Sequence, residues 1–260
     1  MPGQGDVIQA RRGSHGDYAI IVLTPCSVEE TFTLTVRAFN LSERFRTPVV
    51  LLMDEIVGHT AEKAFLPGAG ELEVVGRRTP EVPPDSFLPY APDPDDIPPM
   101  AAYGTGYRFH VTGLCHDETG FPSNNPAVAD ALVRRLSAKI EDHSEEIVDV
   151  EWDRDATASV GIFAYGSTAR SAKGALRALR DAGTPATLLR PKVLWPFPDE
   201  DVSRLAEDVE VILVPEMNLG QMSREIQRVA CGRVRVQPLT RVDGEPIRPE
   251  QIVDAVRALL

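Results

Sequence analysis

The sequence predicts an α/β protein built from two parallel-sheet units in tandem, the first of them incomplete. Three observations carry this. Two short apolar runs, Ala19–Thr24 and Pro48–Met53, flank an amphipathic stretch, which gives a strand–helix–strand unit over about 35 residues. From Asp153 onward, apolar runs and amphipathic stretches alternate regularly. Between them lies a polar, proline-rich region with no sustained period.

In chain order, the first 18 residues are polar and glycine-rich and contain no apolar signal core. Ala19–Thr24 is apolar and bounded by polar residues and proline, as a buried strand is. Ser27 followed by Glu29 and Glu30 marks a helix start, and Phe32, Val36, Phe39 and Leu41 are read as its inner face down to Phe45. Pro48–Met53 is the second strand, parallel to the first because crossovers of this length return in the same direction. Asp54, Glu55 and His59 then lie at the carboxyl end of the sheet, the rim where open α/β sheets bind ligands, and are read as cofactor-binding candidates. The alternative is that Asp54 or Glu55 caps the next turn and His59 is solvated.

Residues 79–100 hold eight prolines and four aspartates, a connection expected to be functional or laid across a neighbour. Tyr107–Pro122 follows, with His110, Cys115, His116, Asp117 and Glu118 between glycines, and reads as a shaped loop. His110 and His116 are the catalytic candidates, with plain turn chemistry as the alternative. A zinc or iron site is disfavoured because the two imidazoles lack helical spacing. A Cys115–His116 nucleophile pair is disfavoured because such groups converge from distant positions. Asn125-Pro126 opens a helix with Val128, Leu132, Leu136 and Ile140 on one face.

In the second half, Ser159–Tyr165, Ala186–Arg190, Val209–Val214 and Arg233–Pro238 are strands, and Thr168–Ala182, Met217–Cys231 and Pro249–Leu260 are helices. Leu219, Met222, Ile226 and Val229 are read as facing inward. Gly161–Thr168 superficially matches a phosphate loop but lacks the lysine, so Ser167 and Thr168 are read as N-cap residues. Leu194–Pro198 is read as a rigid surface turn packing between domains or subunits. The domain division is set at 1–152 and 153–260, the second unit expected to fold by itself and protease expected to cut first within 79–105.

With 39 acidic and 27 basic residues and a net charge of −12, the chain lacks the basic face that a nucleic-acid partner requires. No run of 18 apolar residues exists to span a membrane, and a cytoplasmic location is expected. Cys26, Cys115 and Cys231 are too dispersed to ligate an iron–sulfur cluster, and no metal ligand set is assigned.

Four stretches together resemble the alpha subunits of 2-oxoacid:ferredoxin oxidoreductases, most closely the 2-oxoglutarate enzymes. They are Pro2–Asp6 with Gly13–Asp17, Phe39–Glu43 running through Thr47–Glu55 and Val57–His59, Tyr107–Pro122, and Val214–Gln221. The resemblance implies an incomplete thiamine-pyrimidine-binding-like parallel-sheet domain followed by a transketolase-C-terminal-like α/β domain. It implies oxidative decarboxylation of a 2-oxo acid, 2-oxoglutarate, to acyl-CoA, here succinyl-CoA, with electrons passed to ferredoxin. Thiamine diphosphate with Mg and a [4Fe-4S] cluster are expected mainly in a partner beta subunit, with coenzyme A as co-substrate. Two strands cannot bury both faces of a sheet, and family members carry a further segment before the position of Met1. The chain is therefore expected to be a truncated product or a late start, with the principal catalytic residues in that segment. The rival reading is a non-catalytic subunit-interaction module; a metal-dependent hydrolase stands third.

Overall fold

The computed structural model describes residues 1–68 and 70–260. Its elements run α1 (Val7–Arg12), β1 (Ile21–Leu23), α2 (Val28–Phe45), β2 (Val49–Leu51), α3 (Glu55–His59), α4 (Pro126–Glu141), α5 (Ser144–Ile147) and β3 (Val150–Asp153). They continue β4 (Val160–Phe163), α6 (Gly166–Asp181), β5 (Thr187–Pro191), β6 (Val193–Trp195), α7 (Asp199–Asp208), β7 (Val211–Glu216), α8 (Gln221–Ala230), β8 (Arg235–Thr240) and α9 (Pro249–Arg257). A five-stranded sheet has the order β3-β5-β4-β7-β8, parallel except for β3 at one edge. A three-stranded sheet has the order β2-β1-β6.

The small sheet shows how the two halves are joined. β1 and β2 pair in parallel, as the crossover rule requires. The free edge of β1 is covered by β6, which arrives antiparallel from the second half, Val22 opposite Trp195. Val193, Leu194 and Trp195 are fully buried, so Leu194–Pro198 is not a surface turn but a strand and core segment. Two residues after leaving the large sheet at Pro191, the chain enters the small one. The two sheets thereby share a core in which Trp195, Phe163 and Phe197 pack with Val7, Val22 and Leu189.

α2 is capped as expected, with Ser27 Oγ accepting from Glu30 N–H. Its inward face differs from the expected one. Leu34, Leu41 and Phe45 are buried, whereas Phe32 and Phe39 are exposed. The helix carries two apolar stripes, one at 34, 38, 41 and 45 and one at 28, 32, 36 and 39, and both keep helical spacing. β6 and α5 supply Val193 and Ile147 to the first stripe. In α8 the inward set is Met222, Ile226 and Val229, while Leu219 lies before the helix and is exposed. α7 was missed in the sequence, although Asp199, Glu200 and Asp201 in its first turn and buried Val202, Leu205 and Ala206 are ordinary helix signals.

The proline-rich segment is laid across the ends of α2 and α4. Proline has a carbonyl but no N–H, so this segment carries more acceptors than donors. Arginines supply the difference: Arg46 Nη1 donates to Pro89 O and Pro99 O, Arg78 to Ile97 O, and Arg135 to Asp96 O.

Candidate functional site

In an open α/β sheet the ligand crevice lies outside the carboxyl ends of the strands, where neighbouring crossovers diverge. In the large sheet that point is between β4 and β7, since β4 has β5 on one side and β7 on the other. The chain fills it with its own carboxylates. Asp54 comes from the end of β2 and accepts from Ser167 N–H in the first turn of α6. It therefore caps α6, in place of the local Ser167 and Thr168 caps expected from sequence; Thr168 Oγ1 donates to Tyr165 O instead. Gly166 sits at φ +54, and a Cβ there would overlap Asp54 Oδ2, so the left-handed glycine is what admits the carboxylate. Glu216, fully buried at the end of β7, accepts from Met222 N–H (2.9 Å), Ser223 N–H (3.1 Å) and Ser223 Oγ in the first turn of α8. Both helix N-termini, which are anion sites by their unpaired N–H groups, are thus occupied internally. Burial raises the Asp54 carboxyl above its ordinary value, against the hydrogen bonds from Ser167 and Gln4.

The N-terminal signature and the 214–221 signature interlock around this node. Gln4 is 1% exposed. Its Nε2 donates to Asp54 Oδ2 (3.2 Å) and Tyr165 O (3.1 Å), and its Oε1 accepts from Met217 N–H (3.0 Å). Asn218 Nδ2 donates to Gln4 O and Tyr165 Oη, and its Oδ1 accepts from Gly220 and Gln221 N–H. Gln221 takes Ile8 N–H on Oε1 and donates to Gly5 O. A second link is Arg190, fully buried on β5, which donates to Glu30 of α2 and Glu151 of β3. Burial opposes the charge on Glu30, yet the Arg190 guanidinium outweighs it and holds the carboxyl below the usual range. Burial pushes the Cys26 thiol beside them up to about 11.

The three rim candidates separate. Asp54 faces the second half, whereas Glu55 and His59 are exposed on α3. What faces outward from the ends of β1 and β2 is a recess of about 450 Å3 lined by Val28, Thr31, Phe32, Met53, Val57 and Leu66 among others, with no charged side chain.

The loop 107–122 closes on itself. His116 is buried; its Nδ1 donates to Gly120 O (2.8 Å), which fixes Nε2 as the acceptor for Thr112 Oγ1 (2.6 Å). An isolated bridge pairs His116 with Pro122, and Tyr90 packs against the imidazole. Both ring nitrogens are engaged, so His116 holds the turn. His110 is exposed against Phe121, and its carbonyl accepts from Tyr90 Oη. The structure does not converge the two histidines on a common group.

Both halves of the chain match known protein families. The profile described as pyruvate flavodoxin/ferredoxin oxidoreductase, thiamine diP-bdg, matches residues 1–135, and that of pyruvate:ferredoxin oxidoreductase core domain II matches residues 158–252. Fold and sequence together define a subunit of the thiamine-dependent 2-oxoacid oxidoreductase class. The 2-oxoglutarate synthase subunit KorA of Methanothermobacter thermautotrophicus is 46% identical over 98% of this chain and 68% of its own length. The Methanocaldococcus jannaschii protein of the same name is 41% identical over 98% and 68%. The chain belongs to this family of 2-oxoglutarate:ferredoxin oxidoreductase alpha subunits. A 2-oxoglutarate:ferredoxin oxidoreductase from Magnetococcus marinus, with 2-oxoglutarate, coenzyme A and succinyl-CoA bound, superposes with TM-score 0.87 and 29% identity over 99% of this chain. The chain spans about two-thirds of those curated relatives and 45% of that solved chain. No helix among the described residues is long and apolar enough to cross a membrane.

Proposed function

We propose that this chain acts as the alpha subunit of a 2-oxoglutarate:ferredoxin oxidoreductase. With a beta subunit it takes 2-oxoglutarate and coenzyme A to succinyl-CoA and CO2 and passes two electrons to ferredoxin, in the cytoplasm. The observation that carries this is the match over 99% of the chain to an enzyme whose structure holds 2-oxoglutarate, coenzyme A and succinyl-CoA.

Thiamine diphosphate fits the chain at one end only. Bound thiamine supplies the chemistry by which a 2-oxo acid loses CO2. The neutral recess beside Met53 and Val57 suits its ring and would exclude water from it. No group of three His, Cys, Asp or Glu able to hold a metal occurs among the described residues. The diphosphate with its Mg, and the [4Fe-4S] cluster, belong in this reading to the beta subunit. The same face supports a subunit contact, because Phe39, Phe65 and Leu66 are each more than 60% exposed on or beside the outer side of α2. The division into a pyrimidine-side unit and a transketolase-C-terminal-like unit belongs to this reading, with its boundary moved ahead of Val150, because a cut between residues 152 and 153 would split β3, which pairs with β5 of the large sheet.

Purification with a beta-type subunit tests it. Ferredoxin reduction on adding 2-oxoglutarate and coenzyme A, exceeding that with pyruvate, is the expected result. Stable association with no turnover would instead identify a non-catalytic interaction module.

A further inference from the structure

We propose that the recess between the C-terminal end of α2 and the arm formed by residues 79–123 binds a small organic acid, its carboxylate on Arg46 and its apolar body against Tyr90 and Val111. Charge points there first. The chain has net charge −12, yet this recess of about 440 Å3 is lined by Arg46, Arg77 and Arg78 and by a single carboxylate, Glu43. Arg77 is taken by Glu43 (2.7 and 2.8 Å), and Arg78 by Asp93 and Asp95. Arg46 has no carboxylate partner among the described residues, and neither do Arg135 and Lys139 behind it. Lys139 is only 4% exposed, and its ammonium donates to one carbonyl, Arg46 O. Burial, with Arg135 and Arg46 adding to it, brings that ammonium down to about 8.

The negative end of α2 accounts for Lys139, which donates to the carbonyl of the helix's C-cap residue, Arg46. It does not account for the remaining donors of Arg46, a residue that lines the recess. Nη1 of Arg46 is used by Pro89 O (2.6 Å) and Pro99 O (3.1 Å), leaving Nε and Nη2. The buried side-chain polar atoms without a partner among the described residues are Ser167 Oγ and Arg190 Nε, so those two donors are not sealed away. They form one guanidinium edge, the geometry that takes a carboxylate bidentately.

Arg46 is also held in the left-handed region, φ 44, which a residue with a Cβ rarely adopts. Tyr90 lies 5.2 Å from its guanidinium and is tied by Oη to His110 O, so the 107–122 loop roofs the recess. Pro48, Ile97 and Met100 complete apolar walls that inorganic phosphate would leave bare.

Isothermal titration of the full chain at constant ionic strength tests this with hexanoate, acetate and inorganic phosphate. One saturable site is expected, with hexanoate tighter than acetate or phosphate. Arg46→Gln should weaken hexanoate at least about tenfold, the scale of a hydrogen bond to a charged group. Lys139→Met should weaken it about threefold through lost potential alone. Arg46→Gly, which suits the left-handed backbone, keeps the test valid if Arg46→Gln folds poorly, and should also lose binding. Arg204→Gln, at an exposed position of α7, should leave binding unchanged. Absence of saturable hexanoate binding, equal binding of phosphate, or unchanged affinity in both Arg46 variants would overturn the proposal.

Discussion

Replacing Asp54 by Asn and by Ala separates its charge from its hydrogen bonding. Asp54 Oδ2 receives both Ser167 N–H and Gln4 Nε2, so an Asn carbonyl in that place keeps both bonds. Asn loses the attraction of the α6 N-terminus, about 0.3–2 kcal/mol, but removes the cost of burying a carboxylate. The two oppose, and Asp54→Asn should change stability by less than about 1 kcal/mol. Ala leaves the Ser167 N–H and an amide hydrogen of Gln4 unpaired in a buried socket, at about 1–3 kcal/mol each. A loss of about 3 kcal/mol, or about 6–12 °C in Tm for a chain of this size, is expected. The pH dependence has a definite sign. Because the folded carboxyl is raised, its favourable contribution is complete below the ordinary Asp value and is lost as pH rises through the folded value. Asp54→Asn should therefore gain on the wild type as pH rises from about 4, the ordinary Asp value. Urea unfolding of both variants between pH 3 and 8 measures this. Equal damage from Asn and Ala, or a wild type of intact stability after Asp54→Ala, would refute the account of the node.

Three further outcomes follow from particular contacts. His116→Ala removes the bonds to Gly120 O and Thr112 Oγ1; it should cost about 1–2 kcal/mol and open the loop to protease between residues 110 and 123, seen by mass spectrometry. Leu34→Ala should cost about 2–4 kcal/mol, whereas Phe39→Ala should stay within about 0.5 kcal/mol in the isolated chain and weaken association with a beta subunit; denaturation and co-purification distinguish these. A fragment of residues 153–260 should bind an apolar dye and self-associate, because it exposes Val193–Trp195 without β1; a monomeric, dye-free fragment would show that the second half closes its own core.

Local order was legible in the sequence. The caps at Ser27 and Asn125, the crossover unit and four strands of the large sheet follow from patterns that repeat within a few residues, and helices and strands are defined over that range. The family was legible too, because its signatures are contiguous runs. Less legible were three elements of the large sheet and its surroundings: β3 and β6, which are short, and α7, a ten-residue helix whose signals are present in the sequence. Tertiary structure alone chose between the two apolar stripes of α2, since periodicity is the same for both and only the positions of β6 and α5 make one of them the core. It also sent Val193–Trp195 to the sheet of the other half and brought Asp54 to a helix that begins 112 residues later. It showed His116 to be a tie within its own turn, where the same side chain in an open loop would have been free for chemistry. A carboxylate's role is fixed by the donors that surround it, and at Asp54 those donors come from residue 4 and residue 167, which no local pattern connects.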